Sequence, residues 1–187
     1  MKYFKKIVGN KVYLSPMNSD DYLKYVEWLN DYDVAKGINN YTNIVSINSE
    51  KEWLDKAGND KYTFAIVCMD NNELIGNISL MNVNGIDKTA ELGIFIGNKE
   101  KHSCGYGNEA IMLLLNYAFN HINLNNIMLK VYSFNTGAIK AYEKCGFKTF
   151  GVWKNSHYFE GEYVDEIFMN VFKEDFYKNQ LVKKLYK

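Results

Sequence analysis

The sequence predicts an α+β fold: a mixed, mostly antiparallel sheet with one parallel pair of strands at its centre. Three observations predict it. Between residues 62 and 97, three apolar runs separated by turn residues make an antiparallel meander. A glycine turn, one strongly apolar helix and a further strand follow, an order that builds a right-handed unit with parallel strands. Two long runs around Glu160-Gly161 then close the chain as a hairpin.

Each element has a local reason. Lys11 to Met17 alternates as a strand does. Asn18-Ser19-Asp20-Asp21 supplies capping residues, and Tyr22, Tyr25, Val26 and Leu29 recur behind them at helical spacing. A second helix is expected near Ser49, where Ser49-Glu50-Lys51-Glu52 fits a capping box ahead of Trp53, Leu54 and Ala57. Tyr62 to Met69 reads as a strand and Asp70-Asn71-Asn72 as a turn. Glu73 to Met81 alternates, with Leu74, Ile78 and Leu80 on one face. Asn84-Gly85 signals a type I′ hairpin, which makes Thr89 to Gly97 the third strand of the meander. The helix from Tyr106 to His121 is apolar on most sides, as a buried helix is. Ile127 to Tyr132 is a short strand. Asn135 to Lys144 is a helix that Gly146 stops.

With 187 residues, one proline, no repeat and no linker-like composition, residues 1–187 read as a single domain. The apolar fraction of 47% suffices for a core without covalent staples. A formal net charge of zero argues against general nucleic-acid binding, which needs a basic face. Lys2, Lys5, Lys6 and Lys11 are not followed by an apolar signal-peptide core. The longest apolar stretch, Ala110 to Phe119, is too short for a bilayer. A soluble, cytoplasmic protein is expected, with no membrane partner. Three cysteines without CxxC spacing and three dispersed histidines suggest neither disulfides nor a metal site.

The most informative stretch is His102-Ser103-Cys104-Gly105-Tyr106-Gly107-Asn108-Glu109-Ala110. It links a strand to a helix through two glycines that leave no Cβ in the way. The first helical amides have no acceptor within a helix and point outward at the positive end of its dipole. Such a helix start suits a phosphate. A Walker A loop is excluded, since no Lys-Ser or Lys-Thr follows the glycines. Gly105-x-Gly107-x-x-Ala110 fits a dinucleotide fingerprint, but no Asp or Glu lies between Ile111 and Tyr142 to hold a ribose. A third reading of the loop, an acyl-coenzyme A, rests on a resemblance to a known family.

At this point the chain resembles the GNAT family, the GCN5-related N-acetyltransferases. That family's phosphate loop reads Q/R-x-x-G-x-G/A, and residues 102–107 match it except that His102 stands first and Cys104 replaces a common basic residue. A second, more specific pattern, N-x-x-A-x-x-x-Y-x-x-x-G-F, is matched by residues 135–147. Gly161-Glu162-Tyr163-Val164-Asp165 looks like the end of the ribosomal-protein-alanine and spermidine acetyltransferase branch. The resemblance implies a six- to seven-stranded sheet, a splayed central parallel pair and about four flanking helices.

It also implies acetyl-CoA as acyl donor, no metal, and direct transfer to a small-molecule or peptide amine, with a homodimer allowed. Cofactor contacts are then expected from His102, Ser103, Cys104, Gly105, Tyr106, Gly107 and Asn108, from Asn135 and Lys144 of the second pattern, and from Ile94, Phe95 and Ile96. The last three would bind the pantetheine arm and present an amide to the thioester oxygen if their strand bulges and splays from residues 127–132. Tyr142 is the implied acid for the leaving thiolate. Glu91 is the candidate base for an ammonium of pKa ~10.4, whose deprotonation at pH 7 costs roughly 4–5 kcal/mol. Glu27, Asp31 and Asp33 lie in the first helical region, which forms part of the acceptor site in the family, and would favour a cationic substrate. Two alternatives stay open: an amino-sugar or aminoglycoside-type acetyltransferase, and a non-catalytic CoA-binding sensor.

Overall fold

The computed structural model describes residues 2–38 and 40–179. Contacts divide the chain into two units. The first takes residues up to Ser79 together with Ile94–Leu113; the second takes Leu80–Gly93 and the chain from Leu114 onward.

The first unit begins with β1 (Ile7–Val8) and β2 (Val12–Pro16), which pair antiparallel. Asn18 caps a single 3-10 turn, and α1 (Tyr22–Asn30) follows. Asp31 caps the four-residue α2 (Tyr32–Ala35). The next helix, α3, spans Ile47–Gly58, and its capping box is formed by Ser46 and Ser49. The expected box at Ser49-Glu50-Lys51-Glu52 is therefore corrected by one turn. Ser46 has an acceptor oxygen for the Ser49 amide, and Ser49 returns the bond to the Ser46 amide. Strand β3 (Thr63–Cys68) pairs with β2 and with β4 (Leu74–Asn84), whose first half lies in this unit. The core here joins Tyr13, Tyr25, Leu54, Val67, Leu74 and Phe95. Each fully buried side chain of this size contributes about 1.5–3 kcal/mol.

In the second unit β4 ends and β5 (Thr89–Ile96) begins. The expected type I′ turn at Asn84-Gly85 is not formed: the loop runs over residues 85–88, and Gly85 is not among the glycines with positive φ. Asn84 instead accepts hydrogen bonds from the amides of Ile86 and Asp87, so its side chain closes the loop. Helix α4 (Tyr106–Asn120) starts in the first unit and ends in the second. Its Ala110 through Leu115, Ala118 and Phe119 are all buried, as its sequence requires. Then come β6 (Asn126–Tyr132), α5 (Thr136–Lys144), β7 (Lys148–Phe159), β8 (Glu162–Phe172) and α6 (Lys173–Lys178). Glu160 and Gly161 both hold positive φ between β7 and β8, which a two-residue hairpin demands.

Among the described residues the strands follow the order β1-β2-β3-β4-β5-β6-β8-β7. All reported pairings are antiparallel except β5 with β6. The sheet thus has eight strands where six to seven were expected, and β1 is the addition. Helices α2 and α6 extend the expected four. No helix among the described residues is long and apolar enough to cross a membrane.

Candidate active site

The first unit carries the loop. Beyond β5 the chain passes Gly97, a 3-10 turn at Lys99–Lys101, and the segment His102–Gly105 before α4 opens. Ser103 (φ 58°) and Gly105 (φ 86°) both sit in the left-handed region, so the backbone turns twice within three residues. Gly105 has no side chain with which to cap α4. The Glu109 amide bonds to the Gly105 carbonyl, while Tyr106 and Gly107 occupy the first turn, where amides have no intrahelical acceptor. A Cβ on Gly107 would make ordinary van der Waals contact with the Ile96 and Ile94 side chains, at 3.8 and 3.9 Å.

The side chains around the loop differ from the expected set. A His102 ring nitrogen lies 2.8 Å from the Ile96 carbonyl, which pins the loop to the end of β5. The Cys104 thiol faces the Glu100 carbonyl at 3.7 Å. The chain contains no arginine. The cations at the loop are Lys11 of the β1–β2 turn and Lys101, which directly precedes His102. Lys11 Nζ donates to the Cys104 carbonyl at 2.9 Å and stands 5.7 Å from the Tyr106 ring centre. Lys101 Nζ approaches the same ring at 5.7 Å and pairs with Glu73 at 3.3 Å. That carboxylate holds the Lys101 ammonium above its ordinary pKa. Glu109 explains why Lys11 is there. Its carboxylate accepts the amides of Lys11 (2.7 Å) and Val12 (3.2 Å), fastening the first turn of α4 to the start of β2.

The strands beside the loop are irregular. The β3–β4 register slips between Ile66–Gly76 and Val67–Leu74, so Ile75 is an inserted residue in β4. Its carbonyl accepts the amides of both Gly97 and Asn98. Gly76 lies so near the end of β5 that a Cβ there would stand 1.9 Å from the Phe95 carbonyl oxygen. Along β5 the buried positions are Ala90, Leu92 and then Phe95. The alternation slips by one residue around Gly93–Ile94, leaving Ile94 and Ile96 half-buried.

Tyr25, Trp28, Trp53 and Phe95 gather in the same unit. Ring centres lie 5.3 Å apart for Tyr25–Trp28, 6.0 Å for Tyr25–Trp53 and 6.3 Å for Tyr25–Phe95. Glu27 is exposed. Asp31 caps α2 and pairs with Lys99 at 2.7 Å; Asp33 pairs with Lys36 at 2.8 Å. Those lysines hold both carboxyl groups below the usual carboxylate range. Two of the three acids expected at the acceptor side are thus already matched by cations.

In the second unit the parallel ladder joins Thr89–Glu91 to Asn126–Met128. β6 goes on pairing with β8 as far as Tyr132. Glu91 ends the parallel ladder. Its carboxylate takes Lys130 at 3.2 Å and the Asn82 amide at 3.3 Å. Asn135 caps α5 by accepting the Ala138 amide at 3.2 Å. Tyr142 is half-buried on α5, edge-on to Phe147. Burial pushes its hydroxyl up to about 12, with the Cys145 thiol as a lesser cause. Lys144 is exposed in the last turn. The pairing of Lys11 with the loop and with Glu109 escaped sequence reasoning because no spacing rule links β2 to residues more than 90 positions away.

Three comparisons bear on this arrangement. The acetyltransferase (GNAT) domain family matches residues 11–148. The spermidine N(1)-acetyltransferase of Vibrio cholerae is 31% identical over 164 residues, covering 82% of this chain and 88% of that protein. A probable N-acetyltransferase of Bacillus subtilis is 29% identical over 130 residues, covering 69% and 70%. Among solved structures, the Vibrio cholerae spermidine N-acetyltransferase in complex with CoA and spermine superposes with a TM-score of 0.77 at 25% identity. It covers 89% of this chain and 98% of that one.

Proposed function

The chain belongs to the GNAT acetyltransferase family, and from that membership we propose that it moves an acetyl group from acetyl-CoA directly onto a primary amine, with polyamines as the favoured class. The observation that carries this reading is the loop of residues 103–107, opening α4 in front of Gly107 with Lys11 and Lys101 beside it. Amides and ammonium groups together match a pyrophosphate. The polyamine preference is supported by the spermidine acetyltransferase relative and by the neighbour holding CoA and spermine.

In this reading, amides of the first α4 turn and the Lys11 ammonium hold the phosphates. His102 acts on the backbone, where it fixes the loop to β5, and needs no phosphate contact. An amide at the end of β5, near Phe95, stabilises the thioester oxygen as charge develops there. Tyr142 donates a hydrogen bond to the departing thiolate. With its hydroxyl near 12 and a thiol at ~8.5, complete proton transfer would run roughly 5 kcal/mol uphill. The tyrosine therefore stabilises the thiolate and leaves its protonation to water. Glu91, paired with Lys130, is the carboxylate assigned to take the proton of the amine. The nitrogen forms its bond to carbon as the carbon–sulfur bond breaks.

The test is thiol release from acetyl-CoA over a panel of polyamines, amino sugars and peptide N-termini. Turnover highest on polyamines supports the proposal. CoA binding without turnover on any amine would leave the sensor reading in its place, and highest turnover on amino sugars would favour the aminoglycoside-type alternative.

A further inference from the structure

The β1–β2 turn is built around a carboxylate that comes from α4. Gly9 donates to the Val12 carbonyl at 2.9 Å, a bond that brackets Asn10 and Lys11. Glu109 reaches in from the first turn of α4 and accepts the Lys11 and Val12 amides on one oxygen, Oε1. A Cβ at Gly9 would stand 2.3 Å from that oxygen and 3.0 Å from the Leu113 side chain, so the glycine is what admits the carboxylate. Hydrogen bonds to an ionised oxygen are strong, and these two fix the backbone from which the Lys11 side chain leaves.

The far end of that side chain is fixed as well. Lys11 Nζ donates to the Cys104 carbonyl and would stand 3.4 Å from a Cβ on Gly105, so the ammonium lies against the glycine turn itself. Lys11, Cys104 and Gly105 are all exposed, so a solute can reach the ammonium there. Lys101, the other cation over Tyr106, is met by Glu73; among the described residues no carboxylate pairs with Lys11 Nζ. A lysine stem is flexible, and a ligand that captures a wandering ammonium must order it at a cost in affinity. Here both ends are anchored before a ligand arrives.

We infer that Glu109 is a positioning residue for the acyl donor: through the main chain of Lys11 it sets that ammonium at the glycine loop, and so makes the chain favour phosphate-bearing donors over bare pantetheine thioesters. The inference rests on the acetyltransferase reading above and deepens it by naming what selects the donor. Glu109 itself does not meet the donor. Its Oε1 is taken by the hairpin amides, and its effect on donor choice passes through Lys11.

The experiment measures dissociation constants for CoA, by calorimetry, and for pantetheine, by competition against CoA. It compares the wild-type chain with Glu109→Ala, Glu109→Gln, Lys11→Met and the double variant. A tie that is merely structural would weaken both ligands equally and leave their ratio unmoved. The expected result is a loss of about five- to tenfold in the preference for CoA over pantetheine in Glu109→Ala, the share of one exposed ammonium. Glu109→Gln keeps an acceptor oxygen at the two amides and should retain the preference within about twofold. In the Lys11→Met background, Glu109→Ala should lower the preference by less than about twofold more, because the group it positions is gone. An unchanged preference in a folded Glu109→Ala, or a full loss added to that of Lys11→Met, overturns the inference and leaves the acetyltransferase reading intact. If Glu109→Ala does not fold, amide exchange in the wild-type chain decides. CoA should slow exchange at Lys11 and Val12 more than pantetheine does, and an equal response to the two overturns the inference. A wild-type chain that binds no CoA overturns the acetyltransferase reading and the inference with it.

Discussion

Helices α4 and α5 begin in opposite ways. At α5, Asn135 supplies its own side-chain oxygen to the Ala138 amide, so the helix satisfies itself. At α4, Gly105 has nothing to supply, and Lys11 and Lys101 both approach the ring of Tyr106, the first residue of the helix. The lesson is that a helix start is structural or ligand-binding according to what precedes it, although the dipole is the same in both. The proposed function divides the labour accordingly: it assigns affinity to α4, and stability and, through Tyr142, chemistry to α5.

The sharpest way to break that contrast is Gly107→Trp. A Cβ there makes only ordinary contacts with Ile96 and Ile94, whereas the larger indole must find room beside the loop that opens α4. Acetyl-CoA affinity should fall by a hundredfold or more, about 3 kcal/mol, when read by calorimetry. Next comes Tyr142→Phe. We expect kcat to fall by about ten- to a hundredfold with CoA affinity within twofold, because a hydrogen bond to a charged group is worth about 1.5–3 kcal/mol. An unchanged rate would confine α5 to a structural role. Lys11→Met should weaken CoA by roughly five- to tenfold and flatten the salt dependence of binding, since one exposed ammonium contributes about 1 kcal/mol. Asn135→Ala should have the smallest effect on function. Loss of a cap costs about 1 kcal/mol, or about 2–4 °C in Tm, with CoA affinity unchanged. A large loss of CoA binding in that variant would mean that both helix starts hold ligand.

Much of the fold was legible because apolar spacing repeats often enough to carry a period. Strands β3 to β8 and helices α1, α3, α4 and α5 all have such runs. Strand β1 is two residues long, and two residues show no period. Helix α2 is one turn, set by Asp31 as a cap, too short for apolar spacing to show a period. Asn84-Gly85 misled because the Asn84 side chain offered a competing closure four residues wide. In the site, the glycine loop and the residue 135–147 pattern are local and could be read directly. Lys11 and Glu109 meet only in space. Glu50 entered the sequence reading only as part of a capping box, although it shares the buried face of α3 with Leu54 and Ala57.

Glu109 ties two amides that precede it by 98 and 97 residues. This single carboxylate makes the start of α4 a long-range assembly and delays its completion. The glycines can turn as soon as they leave the ribosome, but the lysine that completes their charge arrives only when the N-terminal hairpin docks. Contacts between distant parts of a chain form late and slowly. The ability to hold coenzyme A should therefore appear among the last events of refolding, after the meander has acquired its protected amides.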